Sequence, residues 1–492
     1  MGTFSRTTRR TRARPDPSAR FETRTEDRRA RQSPLSLRPF VRALPLACAA
    51  LACVLIPIEP ARAQSTAKEN AITARDRADF EALGLDLGTL VKPFLGGYES
   101  QTLNSVTVRP RFEVVQEFND NVFNQSDRGK ADKIVHFKPG LALATDWDNH
   151  SVTMFFDADR GRYYENRQES YTDFNVGTKN AIQVLDEFTI NAGYTFSKKH
   201  EVGNAPLDPA TSSKGGTAFG QEINDAGFGK TDYDQHIFEL GSTFSTDPLL
   251  LRVETAARRQ SYISKIGQSN EDRNSWQLLV TPRVGYVFFE DTTFFIQPQY
   301  AQRFYDAKFD RSGTNNNSRE YQLQFGVTYD FTDLTFAEIS GGIVRSEYDD
   351  RRFKPSNGFT FDAEIIWNAT ELSTFFFRAG RSNLGTTDST TKTVATQTFT
   401  LGLDYEALDN LILSASVNYT NAEYLTDIPV FVSGVRQKNR DDHQFLFQAG
   451  LRYTMNRYLS GTANYILLDR LSNFPANKLT KNRWLIGLAA QL

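Results

Sequence analysis

The chain of 492 residues is poor in the side chains that usually carry catalysis or bind metals. It contains two cysteines, Cys48 and Cys53, three methionines and five histidines. Both cysteines fall within the first 63 residues, so the rest of the chain can form neither a disulfide nor a thiolate metal site. No two histidines have a metal-ligand spacing such as HxxxH. We therefore expect no cofactor, no metal site and no enzymatic activity.

Long apolar runs are also absent after residue 63. A membrane-spanning helix needs roughly 20 consecutive apolar residues, and the mean hydropathy of the chain is −0.48. A chain of this kind can cross a membrane only with β-strands. The one extended apolar stretch, residues 43–58 (ALPLACAALACVLIPI), lies near the N-terminus.

That stretch has the composition of a secretory signal. It follows an Arg-rich leader without lysine and is followed by Ala61-Arg62-Ala63, a small-x-small cleavage sequence before Gln64. We predict a signal peptide over residues 1–63, with an unusually long leader that leaves the true start codon open. A basic arm that binds nucleic acid is disfavoured by the apolar core, so we expect no nucleic-acid partner. Cys53 is a poor match to a lipid-attachment site.

Phenylalanine, in contrast, is abundant, with 38 residues, and alternation of apolar and polar residues dominates from Val106 onward. In VLDEFTINAGYTF (184–196), Phe188 and Ile190 alternate with small or polar residues, and the alternation reverses at Asp186-Glu187. Such alternation predicts β-strands with one apolar face. Eighteen candidate strands begin near Val106, Ile134, Ser151, Phe174, Phe188, Tyr233, Leu249, Trp276, Thr292, Arg319, Leu334, Gly358, Leu372, Thr393, Leu411, His443, Tyr458 and Lys481.

The connections between these segments alternate in length. Short Asp- or Asn-rich turns are predicted at 148–149, 186–187, 247–248, 290–291, 332–333, 368–369, 406–410 and 456–457. Long polar connections are predicted at 120–133, 165–172, 199–232, 265–273, 305–317, 347–356, 382–392, 426–442 and 471–480. Transmembrane barrels have short turns at one end and long loops at the other, whereas the connections of a soluble sandwich need not sort by length.

The predicted fold is therefore an all-β, antiparallel, up-and-down transmembrane barrel of about 18 strands (16–18) over residues 106–492. An irregular periplasmic segment, residues 64–105, precedes it as a tether or a plug. The last strand alternates through Trp484, Ile486, Leu488 and Ala490 to the end of the chain, which suits recognition by the outer-membrane assembly machinery. Aromatic residues near strand ends resemble an interfacial girdle: Trp147, Tyr163, Tyr164, Tyr286, Tyr300, Tyr329, Trp367, Tyr405, Tyr419 and Tyr453.

If the apolar face meets lipid, the opposite parity lines the interior, because charge is costly at the lipid midplane. The candidate lumen-lining residues are Arg109, Arg111, Glu113, His136, Lys138, Asp157, Asp159, Lys179, Glu239, Arg252, Glu254, Arg283, Gln297, Gln299, Asp362, Glu364, Arg378 and Arg452. Both signs of charge occur, with no ring of one sign, which favours neutral or weakly charged polar solutes such as sugars. Alternatively, many of these charges pair across strands and only brace the wall.

The connection 199–232 is the longest and contains several glycines. By analogy with porins, the third outer loop folds into the lumen and narrows it; a mobile surface loop is the alternative. Asp157 and Asp159 could support acid–base chemistry, but as neighbours on one strand face they fit a solvated lining better.

Several short stretches resemble the outer-membrane β-barrel porin type 2 family (BBP2-like, formerly a domain of unknown function). They are RDR (75–77), GLDLG (84–88), FNDNVF (118–123), DKIVHFKPGL (132–141), WDNH (147–150) and YTDF (171–174). The resemblance covers about the first quarter of the chain after the leader. It implies a barrel in the outer membrane of a Gram-negative bacterium, and a link to export of exopolysaccharide or capsule.

These observations favour a passive or gated channel, a conduit for exopolysaccharide or other polar solutes. The expected partners are outer-membrane lipid, the assembly machinery, polysaccharide and a periplasmic export partner. A structural or surface-binding barrel with an occluded lumen and no transport role is the alternative, and an outer-membrane enzyme is the third hypothesis. Solute, direction of transport, gating and oligomeric state are left open.

Overall fold

The structure, a computed structural model, describes residues 101–103, 106–127, 129–145, 147, 149–203, 205–207, 230–264, 270–331, 334–386, 390–426, 431–432, 435–436 and 439–491. The predicted signal peptide, residues 1–63, and residues 64–100 of the predicted periplasmic segment lie outside the described residues. Both stay predictions.

The described chain consists almost entirely of β-strands. Their bounds are β1 Gln101–Leu103, β2 Val106–Asn119, β3 Asp132–Thr145, β4 His150–Tyr163, β5 Tyr171–Leu185, β6 Phe188–Glu201, β7 Thr231–Thr246, β8 Leu249–Tyr262, β9 Ser275–Phe289, β10 Thr292–Tyr305, β11 Ser318–Phe331, β12 Thr335–Tyr348, β13 Ser356–Thr370, β14 Ser373–Gly385, β15 Thr391–Leu408, β16 Leu411–Thr426, β17 Phe431–Val432, β18 Val435–Arg436, β19 Asp441–Asn456, β20 Leu459–Ser472 and β21 Leu479–Gln491. Three single-turn 3₁₀ helices, Arg167–Glu169, Glu271–Arg273 and Pro475–Asn477, lie in long connections.

Eighteen of these strands, β2 to β16 and β19 to β21, form one closed antiparallel sheet in which each strand pairs with its neighbours in the chain. Closure is made by the first and last of them, since β2 pairs with β3 and also with β21, from Arg111↔Gln491 to Asn119↔Arg483. A closed sheet leaves no unpaired edge, which a membrane-spanning sheet requires. The predicted 18-stranded barrel is confirmed, and each predicted strand start lies within three residues of an observed one.

The remaining strands are small additions to the barrel. The three residues of β1, inside the segment predicted to be irregular, pair with the start of β2. The two-residue strands β17 and β18 pair with each other within the connection between β16 and β19. Neither feature alters the closed sheet.

Short and long connections alternate around the barrel. The short turns occupy 146–149, 186–187, 247–248, 290–291, 332–334, 371–372, 409–410 and 457–458. The long connections occupy 120–131, 164–170, 202–230, 263–274, 306–317, 349–355, 386–390, 427–440 and 473–478. The turn predicted at 368–369 lies at 371–372 instead, because a register shift between Asn368 and Thr370 lengthens β13. All long connections are therefore at one end, called here the outer end.

The register assigns each side chain to one of two faces. Ile182 of β5 lies opposite Ile190 of β6, and Gln183 lies opposite Thr189, so apolar and polar residues keep to separate faces as strand alternation requires. Exposed large hydrophobic residues, such as Leu240 at 59% and Ile486 at 59%, stand on the apolar face. The apolar side of the alternating pattern in residues 184–196 is therefore the convex outside of the barrel.

Contacts that skip strands identify the concave side. Arg283 of β9 and Glu338 of β12 are joined at 2.8 Å although β10 and β11 lie between them. Asn383 of β14 donates to Ser346 of β12 at 3.2 Å, across β13. Side chains can meet over an intervening strand only on the inside of the curve. The polar face is therefore the inner wall.

Tyr163 does not belong to the predicted aromatic girdle. Its neighbour in the register is Ile134, which stands on the inner face, and its exposure is only 7%. It packs there against Val122 and Ile134. Strand alternation assigns Tyr163 and Tyr164 to opposite faces. Of two adjacent aromatic residues at a strand end, only one can therefore belong to an outward-facing girdle.

Within the part of the chain that the structure describes, no helix is long and apolar enough to cross a membrane.

Candidate functional site

The inner wall is the candidate functional site, and the register brings the predicted lining residues together there. The eighteen residues proposed from the sequence share the inward parity of their strands: Arg109, Arg111 and Glu113 on β2; His136 and Lys138 on β3; Asp157 and Asp159 on β4; Lys179 on β5; Glu239 on β7; Arg252 and Glu254 on β8; Arg283 on β9; Gln297 and Gln299 on β10; Asp362 and Glu364 on β13; Arg378 on β14; and Arg452 on β19.

Opposite charges on this wall are mostly paired. Arg111 Nη2 lies 2.6 Å from Asp157 Oδ1, and Arg378 Nε lies 2.8 Å from Glu364 Oε1. Arg252 forms an ion pair with Glu254 on the same strand. The wall therefore carries charge of both signs but neutralises much of it locally.

The register also places further opposite charges near each other. Glu113 faces Lys138 directly across β2 and β3. Lys179 and Glu239 stand on either side of Gly193, which pairs with both residues. A Cβ at Gly193 would lie 2.9 Å from Glu239 Oε2, so the glycine leaves room for the carboxylate to lean over it.

Amides occupy the wall between β10 and β13. Gln297 lies opposite Gln324, and Gln299 lies opposite Gln322. Gln324 Nε2 donates to Asp362 Oδ2 at 2.6 Å. Such side chains can both donate and accept hydrogen bonds, which is the chemistry that recognises hydroxyl-rich neutral solutes.

A buried cluster of ionisable residues lies on the inner wall near the outer end, where β21, β2, β3, β4 and β5 meet. Arg483 of β21 donates to Glu117 of β2 through two nitrogens, at 2.6 and 2.9 Å. His136 Nε2 lies 3.3 Å from Glu117, and its Nδ1 lies 3.1 Å from Asp159. Tyr171 donates to Asp159 at 3.2 Å. The cluster locks the first barrel strand to the last.

Glu117 and Arg483 were not among the residues proposed from the sequence. Both have the correct parity, so the alternation could have found them. Their partnership depends on barrel closure, which brings together residues far apart in the chain.

A short segment crosses the mouth of the barrel from one wall toward the other. We call residues 202–203 and 205–207, which follow β6, the strap. Asn124 Nδ2 donates to Gly203 O at 3.4 Å, and Arg470 Nη1 of β20 donates to Ala205 O at 3.0 Å. The strap thus starts at β6 and reaches β20, which lies six strands away around the eighteen-stranded barrel.

The far end of the strap is held by two hydrogen bonds and an apolar contact. Leu207 N–H donates to Gln444 Oε1 at 2.9 Å, and Gln444 Nε2 donates back to Leu207 O at 2.6 Å. The Leu207 side chain packs among Leu384, Val394, Ala422 and Tyr424 on β14 to β16. The described part of the connection 199–232 therefore lies inside the barrel mouth; residues 208–229 are outside the described residues.

The outer connections after β10 and β12 are joined by a charged clasp. Arg352 Nη2 donates to Gly313 O and Thr314 Oγ1, each at 3.0 Å, and to Asp350 Oδ2 at 2.7 Å. Asn315 N–H donates to Asp350 at 3.2 Å. These bonds lower the pKa of Asp350 to about 2, with the Arg352 hydrogen bond as the main cause.

The turn that receives this clasp is itself ordered by a carboxylate. Asp310 Oδ1 accepts from the backbone N–H groups of Ser312 and Thr314, at 2.8 and 2.9 Å. Burial would raise the pKa of Asp310, but these hydrogen bonds and one from Asn316 hold it below its usual value. Gly313 has φ of 74°, a left-handed conformation that glycine adopts without strain.

Among the described residues, no group of three or more His, Cys, Asp or Glu side chains is arranged to hold a metal ion. Asp157 and Asp159 each have a partner, Arg111 and His136 respectively, so the two carboxylates do not form an isolated acid–base pair.

A family comparison adds to this geometry. The model of the family described as "Putative beta-barrel porin 2" matches residues 101–492. The chain belongs to this family. The match begins at β1 and covers all eighteen strands of the closed sheet, so the porin-like barrel is the whole of the described structure. The resemblance inferred from the short stretches is confirmed.

Solved structures of other proteins are similar to this porin-family barrel at low identity. The siderophore receptor PirA from Pseudomonas aeruginosa is 7% identical, with 78% of this chain and 80% of that chain covered and a TM-score of 0.42. OpdK from Pseudomonas aeruginosa, solved with vanillate, is 10% identical, with 78% and 99% covered and a TM-score of 0.40. OmpT of Vibrio cholerae is 11% identical, with 80% and 100% covered and a TM-score of 0.34. No curated protein matches the chain.

Proposed function

We propose that this porin-family barrel is an outer-membrane channel for neutral polar solutes, and that secreted polysaccharide is its cargo. The observation that carries the proposal is the inner wall, which is polar on every strand yet largely neutralised by its own ion pairs. An 18-stranded barrel is wide enough to hold water rather than being filled by side chains. We infer that the eighteen predicted residues line this aqueous space.

The chemistry of the wall favours neutral cargo over ions. Arg111, Arg283 and Arg378 each have a carboxylate partner, so no ring of one sign is available to select by charge. The Gln297–Gln324 and Gln299–Gln322 pairs supply hydrogen-bonding groups that exchange readily with the hydroxyls of a sugar. A chain of neutral sugars could move along such a wall without leaving a buried charge unpaired.

A barrel with an occluded lumen and no transport role is the second candidate, and the strap favours it. Leu207 fills an apolar site inside the mouth, and Gln444 holds its backbone. A strap in this position narrows the entrance from the outer end. In the channel proposal the strap is a constriction; in the alternative it is part of a closed plug.

Conductance of the purified full chain in planar bilayers separates the two candidates. The channel proposal expects discrete conductance steps with weak ion selectivity. It also expects liposomes that contain the protein to swell faster in a neutral oligosaccharide than in a charged oligosaccharide of the same length. Silent bilayers, together with no swelling in any sugar, would reject the channel and leave the occluded barrel.

The remaining expectations belong to the same proposal. We infer export through a signal peptide over residues 1–63, a tether or plug over 64–105, and a barrel in the outer membrane of a Gram-negative bacterium. Recognition of the last strand by the assembly machinery and docking of a periplasmic export partner are part of the proposal. It assigns the chain no catalytic step and no cofactor.

A further inference from the structure

Three cations lie side by side on the convex, lipid-facing side of the barrel, close to the outer end. Lys133 is near the start of β3, and Arg160 and Arg162 are near the end of β4. Val135 pairs with Arg162 and Phe137 pairs with Arg160, so all three cations share the outward face. Neighbouring same-face positions in a sheet are about 7 Å apart, and the three charges therefore form one group, the basic cluster.

None of the three cations forms an ion pair with a carboxylate among the described residues. Asp120, which follows β2 on the outward side, instead accepts hydrogen bonds from Asn482 at 2.6 and 2.7 Å. Among the described residues, the outward faces of six consecutive strands, β21 and β2 to β6, carry no Asp or Glu. Arg160 Nη1 donates to Thr172 Oγ1 at 2.6 Å and to Tyr171 O at 3.3 Å, and both of these acceptors are neutral. Lys133 Nζ lies 5.8 Å from the centre of the Phe118 ring. The three cationic side chains are exposed.

Three other outward-facing arginines near the same end have carboxylate partners, whereas Arg381 of β14 donates to the carbonyl of Phe359. Arg259 lies 2.6 Å from Asp306, Arg319 lies 3.2 Å from Asp349, and Arg345 lies 2.7 Å from Glu347. The outward arginines Arg259, Arg319 and Arg345 on β8, β11 and β12 are thus neutralised by carboxylates. Lys133 on β3 and the two arginines on β4 form no ion pair among the described residues. The cations on β3 and β4 are left available for an external anion.

The surface below the basic cluster is apolar. Four large apolar side chains stand on the same outward face toward the middle of the barrel, and each is more than a third exposed. They are Phe137 and Leu141 on β3, and Met154 and Phe156 on β4. A ligand that fits both parts has an anionic head at the level of the cations and hydrocarbon chains along these side chains. Arginine in particular matches phosphate oxygens with two parallel hydrogen bonds.

We propose that Lys133, Arg160 and Arg162 bind the phosphate groups of lipid headgroups in the outer leaflet, with the acyl chains against the apolar surface below. The inference rests on the proposed outer-membrane location, with the long connections facing outward. It does not depend on whether the lumen conducts. Each cation near an anionic lipid surface adds favourable energy, so the site anchors one side of the barrel to phosphorylated lipid.

The test uses the full chain purified in a neutral detergent and a triple variant, Lys133→Gln/Arg160→Gln/Arg162→Gln. Bisphosphorylated lipid A and its dephosphorylated form are titrated separately, and bound lipid is counted by native mass spectrometry. The control, Arg259→Gln/Arg319→Gln/Arg345→Gln, removes the same number of outward cations, but ones that already have carboxylate partners. A charge-preserving variant, Lys133→Arg/Arg160→Lys/Arg162→Lys, checks that net charge at this site is what matters.

We expect the triple variant to bind bisphosphorylated lipid A about tenfold to hundredfold more weakly than the native chain. The control and the charge-preserving variant should retain most of the affinity, and the native chain should bind the dephosphorylated lipid weakly. Equal binding by the native chain and the triple variant would overturn the proposal. So would displacement of the lipid by inorganic phosphate alone, because that would show a site for free phosphate.

Two readouts keep this result separate from the proposed function. Heat-dependent migration on a denaturing gel shows that each variant forms a folded barrel. Planar-bilayer conductance of the triple variant should equal that of the native chain, because the cluster lies on the opposite face of the wall from the lumen. A silent native barrel that still binds phosphorylated lipid would reject the channel and retain the lipid site.

Discussion

Arg283 and Glu338 are joined over two intervening strands of the barrel wall. Arg283 Nη2 of β9 lies 2.8 Å from Glu338 Oε1 of β12, while Arg283 Nε donates to Gln297 Oε1 of β10 at 2.6 Å. The guanidinium group also lies 4.0 Å from the centre of the Phe295 ring. One arginine thus ties three strands together from inside the curve, which makes it a brace of the inner wall.

Replacing Arg283 by methionine should destabilise the barrel strongly. Glu338 is 7% exposed in its side chain, and a buried carboxylate that loses its partner costs about 3–5 kcal/mol. Arg111→Met is the matched control, because Asp157 is 37% exposed and an exposed ion pair contributes only about 0–1 kcal/mol. Urea unfolding in lipid vesicles, followed by tryptophan fluorescence, measures both. Equal losses for the two variants would show that Arg283 is not a brace.

Gln444→Ala should release the strap and raise conductance. The substitution removes both hydrogen bonds to Leu207, each of which contributes roughly 0.5–1.5 kcal/mol, without placing a new charge in the lumen. Single-channel conductance should increase over that of the native chain. Gln448→Ala is the control, since Gln448 shares the inner face of β19 but lies deeper in the wall.

Two outcomes of the Gln444→Ala and Gln448→Ala measurements would contradict a strap that only narrows the pore. If Gln444→Ala and Gln448→Ala change conductance by the same amount, the strap does not set the width of the pore. If the native chain is silent and only Gln444→Ala conducts, the strap is a plug and the occluded barrel is the native state.

Two adjacent residues of the last strand test which face meets lipid. Ile486 points outward and Leu485 points inward, because Leu485 pairs with Glu117 and Ile486 pairs with Gln116. Ile486→Lys should cost about 2–4 kcal/mol, the penalty for a lysine at the lipid midplane. Leu485→Lys places the same charge on the inner face, which we propose is in contact with water, and should cost much less. Folding yield into lipid vesicles and urea midpoints give the measurement, and a larger cost at Leu485 would reverse the two faces.

Strand number and facing were predictable because both are local properties of the sequence. Period-two alternation assigns residues such as Arg283 and Ile486 to opposite faces without any knowledge of the fold, and the alternation of short and long connections then fixes an up-and-down barrel. The polar lining follows from parity alone. Tyr163 was misassigned because it was grouped with Tyr164 by composition rather than separated by parity.

Contacts between residues far apart in the chain could not be predicted from alternation. The Arg483–Glu117 pair exists because the sheet closes, and local alternation does not specify which residues face each other across the seam. The packing of Leu207 against Leu384 and its neighbours depends on the path of a connection whose sequence shows no periodicity. Glycine content marked the connection 199–232 as unusual but could not show that its described part, up to Leu207, turns inward.

The clasp between the outer connections should open in acid. Asp350 has a pKa of about 2 in the folded chain, below the usual value of about 3.9 for an unperturbed aspartate. A carboxylate with a depressed pKa stabilises the fold fully above its unperturbed pKa, and that stabilisation is lost as the pH falls through the folded value. The contribution of Asp350 should therefore be present at pH 5 and disappear between about pH 4 and pH 2.

Hydrogen exchange at single amides resolves this event, because Asn315 N–H donates directly to Asp350. Protection of the Asn315 amide, corrected for intrinsic exchange, should fall as the pH is lowered through this window, while amides within β11 stay protected. In Asp350→Asn the protection of the Asn315 amide should not change with pH in this window, since the variant has no carboxylate to titrate. If protection of Asn315 in the native chain does not change with pH, the Asp350–Arg352 contact does not hold the two connections together, and the backbone turn around Asp310 alone keeps them ordered.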